Sequence, residues 1–100
     1  MDLHELKTWP GPFDAIVDGR KRYDVRRHDR GFRVGDMVRF REWHPNTGYS
    51  GREVYATITH LTEPDDDGLP VGVVARDPGV CVFGIAIKAS TDRVPVDEGE

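Results

Sequence analysis

Five cations crowd around one carboxylate, Asp24, in the segment Asp18-Gly19-Arg20-Lys21-Arg22-Tyr23-Asp24-Val25-Arg26-Arg27. Gly19 closes a short amphipathic stretch, and the residues after it have the alternation of a strand. Side chains two apart share a face of a strand. Tyr23, Val25 and Arg27 then point one way, and Arg22, Asp24 and Arg26 point the other. The second face is a cation–carboxylate–cation row. Such a row suits a ligand with both phosphates and hydrogen-bonding base edges, and it equally suits a solvated ladder of salt bridges.

A chain of 100 residues makes one domain with one modest core. No apolar run approaches the roughly 20 residues that span a bilayer. The start, Met1-Asp2-Leu3-His4-Glu5, lacks the basic-then-apolar pattern of a signal peptide, so a cytoplasmic location is expected. The single cysteine, Cys81, excludes an internal disulfide and a cysteine-cluster zinc site. It lies in the apolar run Val80-Cys81-Val82-Phe83 and reads as a buried, inert thiol. The net charge of -4 argues against a protein coated in basic surface, but the distribution is uneven. Basic residues concentrate between Arg20 and Arg41, and acids collect at Glu63-Pro64-Asp65-Asp66-Asp67 and Asp97-Glu98-Gly99-Glu100. A local basic zone fits a small anionic ligand or an RNA segment better than a long duplex tract, whose affinity grows with each phosphate neutralised.

Leu3 to Lys7 alternates and predicts a first strand, and Trp9-Pro10-Gly11-Pro12 predicts a turn into a helix with Pro12 near its start. Phe13, Ile16 and Val17 are spaced as one helical face, and Gly19 is placed to cap it. Lys21–Arg27 is the second strand, followed by the turn His28-Asp29-Arg30-Gly31. Val34-Gly35-Asp36 turns into a third strand, Met37–Trp43, with Val38 and Phe40 on one face and Arg39 and Arg41 on the other. His44 to Gly51 reads as a long hairpin loop, and Arg52–Leu61 as a fourth strand. Glu63–Pro70 is an acidic excursion, and Val71–Pro78 a short bridging strand or turn. Val80–Lys88 is the most apolar run and predicts a central strand buried on both faces. From Ser90 onward the chain is polar and expected to fray. The domain is set at residues 1–90, with a tail over 91–100. Five or six short strands with one helix between the first two predict a small α+β fold. Curling into a partial barrel would hide the strand edges that a flat sheet this small exposes.

Gly19-x-Lys21-x-x-Asp24-x-Arg26 resembles the G-x-K-x-x-E-x-R signature of ASCH domains in the PUA-like superfamily. Further short stretches look like one small ASCH-related family of phage and bacterial proteins. They are His4-Glu5-Leu6-Lys7, Phe13-Asp14-Ala15-Ile16, Val25 to Arg30, Phe32-x-Val34-Gly35-Asp36 and Tyr49-Ser50-Gly51-Arg52. Together they cover roughly residues 3 to 88. The resemblance implies a PUA-like pseudo-barrel with a cleft beside the first helix, and RNA or nucleoside binding. In an ASCH relative that deacetylates a modified cytidine, the motif's carboxylate position is a threonine nucleophile. Here it is Asp24, a poor substitute for a hydroxyl in amide hydrolysis, and a chain of this length is not expected to hold that relative's catalytic insertion.

The candidate ligand-binding residues are Lys7, Trp9, Lys21, Asp24, Arg26 and Tyr49. Lys21 would meet a phosphate or carbonyl, Arg26 would fork onto a phosphate or base edge, and Asp24 would accept from an exocyclic amine or ribose hydroxyl. Lys21 stands one position off the face of Asp24 and Arg26, so a twist or bulge must bring it in. Trp9 and Tyr49 are placed to stack bases, Trp43 is ambiguous, and Tyr23 and Phe40 are assigned to the core. His4 reads as an ordinary near-terminal residue, and His28 as a turn histidine. His28, His44 and His60 share no metal-ligand spacing, so no metal or cofactor is expected. Asp65, Asp66 and Asp67 lack the spacing of a calcium loop.

The leading function is a module that binds RNA or a nucleotide-like ligand at Lys21, Asp24 and Arg26. The alternative is a hydrolase of modified nucleosides or RNA, an amidohydrolase or ribonuclease, with Asp24 as general base and Lys21 polarising a carbonyl. A third is a phage accessory protein that binds a host protein through the acidic segment or the tail. No membrane partner is expected, and the sequence leaves the oligomeric state open.

Overall fold

The computed structural model describes residues 1–27, 29–63 and 79–91. Five strands and one helix run in the order β1 (Leu3–Thr8), α1 (Pro10–Val17), β2 (Tyr23–Arg27), β3 (Met37–His44), β4 (Gly48–Thr62) and β5 (Val80–Ser90). The strands form one sheet in the order β1-β3-β4-β5-β2. Strand β1 pairs parallel to β3, and the other neighbours are antiparallel. The sheet is therefore mixed. It curls into a half-barrel, with the short helix between its first and last strands in spatial order.

Alternation decides what faces the inside. Leu6, Val38, Phe40, Val54, Ala56, Ile58, Cys81, Phe83 and Ile85 all point inward and are buried. Helix α1 covers them with Phe13 and Ile16, both fully buried. Pro10 takes the first helical position, where a missing N–H costs nothing, so the helix starts two residues earlier than Pro12 suggests. It ends at Gly19, whose φ of 84° is open to glycine without strain. The N–H of Lys21 then donates back to the Ala15 carbonyl at 2.9 Å, which fixes the exit of the chain.

Several expectations need correction. Residues Gly48–Gly51 belong to β4, because Trp43 and His44 pair with Tyr49 and Gly48 around a turn of three residues. Strand β5 is buried on one face only, since nothing among the described residues covers its outer side. It extends to Ser90, and Thr91 exchanges hydrogen bonds with Glu53, so the chain is held through Thr91, while the rest of the expected tail, 92–100, lies outside the described residues. Tyr23 lies on the outer face of β2, 51 % exposed, and is not a core residue. Asp65, Asp66, Asp67, the segment Val71–Pro78 and His28 lie outside the described residues. No helix among the described residues is long and apolar enough to cross a membrane.

Candidate functional site: a cleft at the seam of the half-barrel

Strands β1 and β2 are the two edges of the sheet, and curling brings them face to face. Backbone pairing does not close the gap. Side chains of β2 and the loop after it bridge to β1 instead. Arg26 Nη2 donates to the Lys7 carbonyl at 3.1 Å and to Thr8 Oγ1 at 3.3 Å. Arg30 Nη1 donates to the Glu5 carbonyl at 2.9 Å. The guanidinium groups thus satisfy edge carbonyls that a ladder would otherwise have to satisfy.

Asp24 is the inward-facing carboxylate of this wall, 5 % exposed. Arg26 Nε donates to its Oδ2 at 2.7 Å, and Lys21 Nζ to its Oδ1 at 3.3 Å. A buried carboxylate is tolerated only when paired and hydrogen-bonded, and here each oxygen has its own cation. Strand β2 begins at Tyr23, so Lys21 is free of strand alternation. Its backbone is tied to the helix end, and its side chain reaches Asp24 from there. Arg22, expected on the inward row, is exposed and donates to the Gly19 carbonyl. The actual row is Lys21–Asp24–Arg26.

Lys7, Thr8, Trp9, Pro12, Lys21, Asp24, Val25 and Arg26 line a cleft of about 340 Å³ over the seam. That is at the small end of the ~300–1,000 Å³ range of small-molecule sites. Lys21 and Arg26 hold the Asp24 carboxylate, Lys7 lines the wall with its ammonium 4.1 Å from the Trp43 ring centre, and Trp9, 54 % exposed, supplies an aromatic surface at the rim. The cleft is thus electropositive, with one fixed hydrogen-bond acceptor and one aromatic plane. On the other side of Lys21, a hollow of about 310 Å³ is walled by Gly19, Arg22, Ile85, Ala86 and Ile87. It holds no acceptor side chain, so the convergent chemistry lies in the seam cleft.

Five of the six residues expected at a ligand site, Lys7, Trp9, Lys21, Asp24 and Arg26, line this cleft. Tyr49 does not. It sits on the outer face over Arg41, 4.0 Å from the guanidinium carbon. Thr8, Pro12 and Val25 join the lining beyond the expected residues. Thr8 continues the inward alternation of His4 and Leu6, a signal that was available.

Two further polar clusters brace the fold. Glu42, buried beside Thr8 in the β1–β3 register, accepts from Ser50 Oγ at 2.7 Å and Arg52 Nη1 at 2.9 Å. Arg52 also reaches Asp14 of α1 and lies over the Phe13 ring, so it ties the helix to the sheet. Near the N-terminus, Asp36 Oδ2 lies 2.8 Å from His4 Nε2 and accepts from Arg33 N, while Oδ1 accepts from Asp2 N. His4 is therefore a buried clasp and not an ordinary terminal residue. Its bond to Asp36 holds that carboxyl below the usual 3.8, against the opposing effect of burial. Asp2, His4 and Asp36 place ligand-type atoms within 4.8 Å of one another. Hydrogen bonds among themselves and to the backbone account for that arrangement. On the outer face, Arg39 binds Glu5 and Glu53, and its bond lowers the Glu53 carboxyl.

The chain aligns with an uncharacterized 12.9 kDa protein in the GpA 3′ region of Escherichia phage P2, 36 % identical over 64 residues. That alignment spans 64 % of this chain and 58 % of the phage protein. A domain of unknown function, DUF3850, matches residues 3–85, from the first residue of β1 into β5. Every residue of the seam cleft falls within that match, and the chain belongs to the DUF3850 family.

Proposed function

We propose that this chain is an ASCH-like module of PUA-like architecture that binds RNA or a nucleotide-like ligand in the seam cleft. The observation that carries this is the convergence of Lys7, Trp9, Lys21, Asp24 and Arg26 on one small cleft from β1, β2 and the two connections flanking α1. Cations meet phosphate, the Asp24 carboxylate meets an amine or hydroxyl donor, and Trp9 offers a face to a base. Both oxygens of Asp24 already accept from cations. Each still has a second lone pair for a ligand donor. Fluorescence titration against short RNAs, nucleosides and nucleotides tests this. Wild type is expected to bind and Lys21→Ala to bind at least about tenfold more weakly, the loss of one charge-assisted contact. Equal inertness of wild type and variant across that panel overturns it.

Hydrolysis of a modified nucleoside is the second reading, with Asp24 as general base and Lys21 polarising a carbonyl. The close pairing of Lys21 Nζ with Asp24 Oδ1 favours it. The burial of Asp24 and its bond to Arg26 favour a fixed acceptor instead. Turnover of acetylated cytidine or RNA that vanishes in Asp24→Asn would decide for the enzyme.

A further inference from the structure

The outer face of β1, β3 and β4 beside the cleft interleaves aromatic rings with cations. Lys7 Nζ lies 4.1 Å from the centre of the Trp43 ring. Trp9 meets Trp43 edge-on at 6.2 Å between centroids. Tyr49 stands opposite Trp43 in the β3–β4 register and covers the Arg41 guanidinium. Trp9, Lys7, Trp43, Tyr49 and Arg41 therefore form one continuous row, and its first two members also line the cleft.

One cation of this row, Lys7, stands outside the ion pairs among the described residues. Lys7 has no carboxylate partner among the described residues, and its ammonium rests against Trp43 alone. Arg41 is ion-paired on its inner side, Nε 3.3 Å from Glu53 and Nη1 3.7 Å from Glu5, and its guanidinium lies against the Tyr49 ring. Tyr49 is 47 % exposed, as Trp9 is at 54 %. Exposed rings interleaved with cations match the alternation of bases and phosphates along an unpaired strand. A duplex keeps its base faces stacked inside and offers nothing to such rings.

We propose that this face is a track for the nucleotides flanking the one in the cleft, so that the ligand is a single-stranded polynucleotide, with neighbouring bases stacked on Trp43 and Tyr49. The proposal rests on the nucleotide reading of the cleft and adds the strand, its path and its stacking residues.

The test is anisotropy titration of the full chain with labelled single-stranded RNA and DNA of about eight nucleotides, within the site sizes typical of stacking platforms. A matched duplex and unlabelled nucleoside monophosphates serve as competitors. Tyr49→Ala and Arg41→Gln are expected to weaken strand binding about tenfold or more and to leave monophosphate affinity unchanged. Tyr49→Phe keeps the ring and retains affinity, which separates stacking from a folding defect. Quenching of Trp43 and Trp9 fluorescence on strand binding supports direct stacking. Either order of RNA and DNA affinity supports the track, and a preference for RNA adds contacts to the 2′-hydroxyl. Strand binding unchanged in Tyr49→Ala, a duplex bound as tightly as the single strand, or no binding of any strand by wild type overturns it. If Tyr49→Ala weakens strand binding while Lys21→Ala changes nothing, the cleft reading fails and the track stands.

Discussion

Arg26 and Lys7 meet across the seam of the half-barrel, with Arg26 Nη2 3.1 Å from the Lys7 carbonyl oxygen. The same guanidinium holds buried Asp24 through its Nε at 2.7 Å. One side chain thus fastens the two edges of the sheet and neutralises the carboxylate between them. Arg26→Ala removes both functions and leaves Asp24 with Lys21 alone. The expected cost is about 2–4 kcal/mol, the range for a buried carboxylate that loses one partner. Arg26→Lys recovers part of this, because an ammonium cannot fork between Asp24 and the opposite edge. Lys21→Ala is expected to cost about 1 kcal/mol or less, since its contact is longer, 3.3 Å against 2.7 Å, and Arg26 still holds Asp24. Urea denaturation of the three variants checks the order.

The clasp between His4 and Asp36 makes stability depend on acid. The folded-state carboxyl of Asp36 lies below its ordinary 3.8. A depressed carboxyl contributes fully above the unfolded value, and that contribution is lost as pH falls through the folded value. Wild type is therefore expected to lose stability below about pH 4 more steeply than Asp36→Asn, which starts out less stable at neutral pH. Urea midpoints measured from neutral to acid pH should converge at the acid end. Parallel curves would show that the clasp contributes nothing.

Cys81 is fully buried, and burial, reinforced by the charges of Glu63, Asp24 and Asp29, pushes its thiol up to about 11. The native chain is expected to resist thiol reagents near pH 8 and to react completely once unfolded. Reagent uptake with and without urea gives the comparison. Rapid labelling of the folded chain would contradict the position of β5.

Gly19 sits at a φ of 84°, and an added Cβ there would meet no atom within 4 Å. The cost of Gly19→Ala is therefore backbone strain alone, about 1–2 kcal/mol. Gly19→Asn is expected to cost less, because asparagine enters the left-handed region more readily. Thermal melts of the two variants test that order. An alanine variant as stable as wild type would mean that the helix exit is not held in this conformation.

Local pattern carried the fold as far as local physics reaches. The alternation of Val38 and Phe40 against Arg39 and Arg41 places β3 correctly, because burial of one face imposes period two on its own residues. The spacing of Phe13 and Ile16 places α1 for the same reason. What the sequence hides is how far apart partners lie along the chain. His4 meets Asp36 and Arg26 meets Lys7, and no local pattern signals either pairing. Tyr23 on β2 and the outward residues of β5 mislead for one reason: an apolar side chain on a strand looks the same whether or not a layer covers it. The site residues were legible through the spacing of Gly19, Lys21, Asp24 and Arg26, which a hydrogen bond at the helix exit and one inward strand face bring together. Tyr49 was mislaid because its loop proved to be a strand that turns its ring outward.

The sheet order also ties a local cleft to the whole molecule. Strands β1 and β2 are close along the chain, yet they occupy opposite ends of the order β1-β3-β4-β5-β2. Three intervening strands, through their pairing and curl, set how far apart the two walls stand. A molecule held between its walls would bind the finished state alone and would raise the stability of the whole chain, not of one element.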